Sequence, residues 1–238
     1  MKNKDVYGKM WKIVKNKDIG IGGMNMGEII SFSNYYEKSI YSEITNELKD
    51  AKTKKYKFST ITEYANRILS VNERKSYTLI FTITNKFGIK LYSKKMKSNI
   101  YGCIKINGDT KQEYGYEKVI LVNNIINDEY IQRVIVAHLL AYYLFDYLGS
   151  KNQRNDECYY AEYMNQNYQI EEVANRFKLD ILMPKKIFIN QCSVAHRGAK
   201  EFGYEGVYES LFIERYLSKF FKVPNNMVMA RINDLLKR

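Results

Sequence analysis

The chain has 238 residues, 45% of them apolar, enough to bury a full core as one large domain or as a medium domain with an appendage. Its net charge of +12 attracts polyanions, whether DNA, RNA, an acidic protein or a ribonucleoprotein, without choosing among them; the excess is mostly lysine, a point charge that reads no base sequence, in an Asn-, Ile-, Tyr- and Lys-rich composition that an AT-rich genome also produces. The three cysteines, Cys103, Cys158 and Cys192, are odd in number and lack Cys-x-x-Cys spacing, which excludes a disulfide framework and a thiolate zinc site and fits a reducing cytoplasm.

Residues 1–58 read as a basic N-terminal extension. The first eighteen carry lysines but neither the apolar stretch nor the small-residue cleavage site of a secretory signal. The cluster Gly20–Glu28 lacks the Gly-Lys-Ser/Thr ending of a phosphate-binding loop, so a turn is expected there. A helix follows, with Ser33 or Asn34 as cap and Ile40, Ile44 and Leu48 at helical spacing.

A second domain is expected over 59–190. It starts with an amphipathic helix capped by Ser59 or Thr60, with Ile61, Tyr64, Ala65 and Ile68 on one face. Residues 76–95 fit a helix or a strand, with a strand favoured from Gly88. The runs YGCIKING and EKVILVNN read as strands, so a small mixed sheet precedes the apolar helix of residues 133–147. The most apolar run, Val134 to Leu148, is about 15 residues, shorter than the roughly 18 needed to span a bilayer, so no membrane association is expected. A polar loop over 149–169 leads to a helix from Ile170 that ends before Pro184. A C-terminal helical pair is expected over 191–238, joined by a Val-Pro-Asn-Asn turn, with His196 in a loop ahead of it.

The central helix carries His138, Leu139, Leu140, Ala141 and Tyr142 where a zinc peptidase needs His-Glu-x-x-His. That motif places two imidazoles on one helical face to hold Zn²⁺, with a glutamate to deprotonate the bound water. Around it stand the strand VILVN, Arg133 five residues before His138, Ala137 beside it, EEVANRF from Glu171, ILMP from Ile181, and FKVPNNMVMARINDL near the end. In this order the fragments resemble the ImmA/IrrE-type metallopeptidases of phages, integrative elements and bacterial stress regulons, over Thr60 to Leu236. The resemblance implies an α/β (α+β) fold with a zincin-like core, in which a small sheet flanks two helices facing each other across a metal.

At the site the chain departs from the family. Leu139 cannot take a proton from water, and the phenol of Tyr142, with a pKa near 10, is a poor zinc ligand. His138 with Glu171, or with Glu172, leaves two ligands where catalytic zinc has three, so neither metal nor cofactor is expected. His138 then reads as a neutral imidazole bonded to Tyr142 or Glu171. Lys178 replaces the family's small alanine seven residues from Glu171, where its ammonium either stands in for the lost cation or snorkels to the surface. With two histidines in the chain, serine or cysteine chemistry has no base.

The expected function is that of a catalytically inactive, metallopeptidase-like binding module of phage or mobile-element origin. It would act in the host cytoplasm on a regulatory or defence protein, for example as an inhibitor. A nucleic-acid-binding regulator, using the charge and the C-terminal helices with Arg231, Lys237 and Arg238, is one alternative; a residual zinc peptidase cleaving a repressor is the other.

Overall fold

The computed structural model describes residues 33–51, 56–70, 77–106, 109–149, 157–162 and 168–237. The glycine cluster and the basic N-terminal run lie outside them. Among the described residues no helix is long and apolar enough to cross a membrane.

Two compact units emerge, one of Ser33–Leu182 and one whose described part begins at Met183. The boundary falls between Leu182 and Met183, where the preceding helix ends ahead of Pro184, which cannot continue it. The helix expected in the N-terminal extension belongs to the first unit. This is α1, Ser33–Ala51, and it buries Ile40, Ile44 and Leu48 as its spacing predicts.

In that unit α2 (Phe58–Ser70) buries Ile61, Ala65 and Ile68. The ambiguous segment resolves into both alternatives in turn, a two-turn helix α3 (Ile80–Lys86) and a strand β1 (Lys90–Lys94), separated by Gly88 at φ 72°. Strand β2 (Ile100–Ile106), the short helix α4 (Thr110–Tyr114) and strand β3 (Lys118–Asn123) follow.

The loop expected over 149–169 contains a fourth strand, β4 (Glu157–Glu162). Its six residues, ECYYAE, are too few to stand out inside an Asn- and Gln-rich stretch. Their partner supplies the order instead, since β4 pairs antiparallel with β2 with Cys103 opposite Tyr160. The sheet runs β1-β3-β2-β4, with β1 parallel and β2 antiparallel to β3.

The side chain of Asn123, fully buried at the end of β3, ties the β1–β2 connection to this sheet. It donates to the carbonyls of Lys97 at 3.0 Å and Ile100 at 2.8 Å, and accepts from the amides of Met96 and Ile125.

One sheet face receives the central helix α5 (Glu129–Tyr142), capped by Asp128, whose carboxylate accepts from the amides of Tyr130 and Ile131. Gly102 makes the approach possible. A Cβ there would lie 2.8 Å from the Leu121 carbonyl oxygen, 3.0 Å from Ile135 Cγ2 and 3.3 Å from Leu139 Cδ1. Beyond Tyr142 the helix widens into a π turn, Tyr143–Tyr147. Helix α6 (Tyr168–Leu182) packs along α5 and α2.

The second unit contains α7 (Lys185–Glu201), α8 (Val207–Phe221) and α9 (Asn225–Leu236). The last two are the expected helical pair. Helix α7 was not expected: its buried stripe, Phe188, Ile189, Cys192, Ala195 and Ala199, is made largely of small side chains whose periodicity is faint. His196 therefore sits on a helix, in contact with Glu209 of α8, not in a loop.

Candidate functional site

Helices α5 and α6 bring His138, Tyr142 and Glu171 together. One helical turn places the imidazole beside the phenol, with His138 Nε2 3.1 Å from the Tyr142 hydroxyl and the rings edge to face. The Tyr142 hydroxyl donates to Glu171 Oε1, and His138 Nε2 lies 3.4 Å from the same oxygen. Since the phenol proton goes to the carboxylate, the imidazole bears its hydrogen on Nε2 and shares it between the phenol and carboxylate oxygens. Both i,i+4 and cross-helix bonds foreseen for a neutral His138 are thus present. Glu171, not Glu172, is the participant; Glu172 is exposed.

Burial pushes the His138 pKa down, aided by the positive charge of Lys178 and resisted by Glu171, so the ring is neutral near pH 7. For Glu171, burial pushes upward, but hydrogen bonds from His138 and Tyr142 and the nearby positive charge outweigh it and hold the carboxyl below its ordinary value.

Lys178 is a half-buried residue of α6. Its charge acts on both His138 and Glu171, yet the amine makes no ion pair or hydrogen bond with a described residue. Burial lowers its pKa and Glu171 only partly restores it. The ammonium thus biases the site by its field without filling it.

Leu139, in the base position, is fully buried on the sheet side of α5, near Gly102. Arg133 is also buried and serves the frame: it donates to the Thr78 carbonyl at 2.9 Å, and its guanidinium lies over the Tyr77 ring.

Two positioning residues escaped the sequence reading. Arg176 donates to both carboxylate oxygens of Asp180, at 2.7 and 2.9 Å, and Thr62 of α2 donates to Asp180 at 2.6 Å. This buried fork fixes α6 against α2 and so fixes where Glu171 points. The i,i+4 Arg–Asp spacing was its signal in the sequence.

A catalytic zinc does not fit this donor set. The 3.4 Å between His138 Nε2 and Glu171 Oε1 suits two corners of a tetrahedron, but the third corner is a phenol whose proton is committed to Glu171, and Lys178 adds a like charge. Among the described residues no three His, Cys, Asp or Glu side chains converge as a metal would require.

Comparison with protein-family models and with curated proteins gives no match for this chain.

Proposed function

We propose that the protein is a catalytically inactive relative of the ImmA/IrrE-type metallopeptidases, with a zincin-like core, that works as a binding module. The observation carrying this reading is the closed set of His138, Tyr142 and Glu171, in which hydrogen bonds occupy the groups that would otherwise hold a metal. Fully buried Leu139 supports it, since the position of the water-activating base holds a hydrocarbon side chain. Its target is a regulatory or defence protein of a bacterial host, with a phage or mobile element as its source and the cytoplasm as its place of action.

The test is elemental analysis and peptide hydrolysis on the purified chain. The expected result is no stoichiometric zinc and no cleavage of casein or of a repressor substrate. About one zinc per chain, lost in His138→Ala, overturns the reading and restores the residual peptidase.

The net charge of +12 favours a second reading, nucleic-acid binding. Arg231, the one arginine within α9, weakens it: the residue is fully buried and pairs with Asp234 at 2.9 Å, so it cannot reach phosphate. Only weak, steeply salt-dependent binding of random duplexes is expected. A sequence-dependent complex that persists at physiological salt would favour this second reading.

A further inference from the structure

Eleven large apolar side chains are exposed among the described residues, and five of them fall within ten residues: Phe202, Tyr204, Val207, Tyr208 and Leu211. Scattered singly such residues need no explanation, but a contiguous group marks an interaction surface. Phe202 and Tyr208 are the most open, at 70% and 72%.

Phe202 and Tyr204 are packed in place. Helix α7 ends in a Schellman turn, with Gly203 at φ 72°, its amide on the Lys200 carbonyl at 2.9 Å and the Tyr204 amide on the Ala199 carbonyl at 2.8 Å. This turn gathers Phe202, Tyr204 and Phe212 into a three-ring cluster, with the first two 5.9 and 5.6 Å from Phe212 and 6.1 Å from each other. Phe212 rests on Gly198, where an added Cβ would lie 3.5 Å from the ring. Exposed aromatics fixed in this way lose little freedom on binding, which is what an anchor requires.

The charge around these anchors differs from that of the chain. Glu201 and Glu205 are exposed at this corner, Glu209 meets His196, and from Arg197 to Arg215 four glutamates stand against two arginines and one lysine, on a protein whose net charge is +12. A polyanion is not drawn here. Apolar side chains flanked by lysine or arginine are.

We propose that the α7–α8 corner is the docking surface for a basic amphipathic segment of a partner protein, with its apolar face on Phe202, Tyr208 and Leu211 and its cations facing Glu201 and Glu205. The assignment rests on this surface and not on the reading of the His138 site, so it stands or falls separately from the zinc and peptidase test.

The experiment is fluorescence anisotropy on the full chain with two labelled 18-residue amphipathic helices, one of leucine and lysine, the other of leucine and glutamate. The net charge of the chain favours the glutamate peptide, so non-specific attraction and specific docking have opposite signs. The lysine peptide is expected to bind at least tenfold tighter at physiological salt. Tyr208→Ser with Leu211→Ser, both exposed positions, should weaken it at least tenfold with an unchanged circular dichroism spectrum, and Glu201→Lys with Glu205→Lys should abolish the preference.

Equal or inverted preference, or unchanged binding by the serine variant, overturns the proposal. So does a wild-type dimer that the serine variant dissociates, since the occupant is then a second copy. Tighter peptide binding after removal of residues 1–18, whose six lysines accompany Val6, Met10 and Trp11, overturns it in favour of the chain's own segment.

Discussion

Tyr142→Phe isolates the bond on which the site's closure depends. The ring of Tyr142 is 1% exposed, so phenylalanine fills the same volume and only the hydroxyl is lost. That hydroxyl donates to an ionised carboxylate, a bond contributing about 1.5–3 kcal/mol, and meets His138 Nε2 at 3.1 Å for roughly 0.5 kcal/mol more. Glu171 keeps His138 at 3.4 Å, so the expected net loss is about 2–3 kcal/mol.

The loss must depend on pH. A carboxyl held below its ordinary value contributes stability above the unfolded pKa and loses it as pH falls through the lower, folded one. Urea denaturation followed by circular dichroism should therefore separate wild type and Tyr142→Phe fully at pH 7 and much less at pH 3. A cycle with Glu171→Gln should return a coupling of at least about 1 kcal/mol. A loss under about 0.5 kcal/mol at pH 7, or one identical at both pH values, would refute the assignment of this bond.

The amine of Lys178, which has no ion pair among the described residues, gives a change of the other sign. Its folded pKa is depressed, so its contribution is fully present above the unfolded pKa and is lost as pH falls; at pH 7 the ammonium costs stability, and Lys178→Met should leave the unfolding free energy from urea titration unchanged or raised by up to ~1–2 kcal/mol, whereas a loss near 3 kcal/mol would mean a buried pair with Glu171. Tyr142→His should give the chain a His-His-Glu set that binds Co²⁺ with a visible absorption band, more tightly when Lys178→Met removes the like charge; a folded variant without the band would count against the site's placement. Adding Leu139→Glu should instead lower the melting temperature, because that position is fully buried. Gly102→Ala should cost about 1–3 kcal/mol in denaturant titration, since its Cβ meets the Leu121 carbonyl oxygen at 2.8 Å; a neutral result would mean α5 is free to move off the sheet.

What could be read from the sequence followed from how strongly each element declares its own period. Ile40, Ile44 and Leu48, or Ile61, Ala65 and Ile68, form helical stripes that no strand produces, and both helices are present. Helix α7 hides the same stripe behind Cys192, Ala195 and Ala199, which bury without looking apolar enough to count. Strand β4 has too little length to carry a signal and gains its order from β2 across the sheet. At the site, the His138–Tyr142 contact is local and follows from spacing alone. The choice of Glu171 over Glu172, the clamp of Arg176 and Asp180, and the placing of the Lys178 charge near Glu171 depend on how α6 is rotated against α5 and α2, which no single segment encodes.

Strand β3 is buried along both faces from Val119 to Asn123, so no alternation of apolar and polar residues marks which way it should lie. Slipping such a strand by one residue exchanges one buried hydrocarbon for another at little cost, and its alignment is correspondingly underdetermined. Asn123 removes the degeneracy. Its amide meets Met96, Lys97 and Ile100 only in one alignment, and a one-residue slip carries it about 3.3 Å along and to the opposite face, forfeiting all three bonds together. One polar side chain at the strand's end thus proofreads the pairing of three strands, and with it the seat of the helix that carries His138.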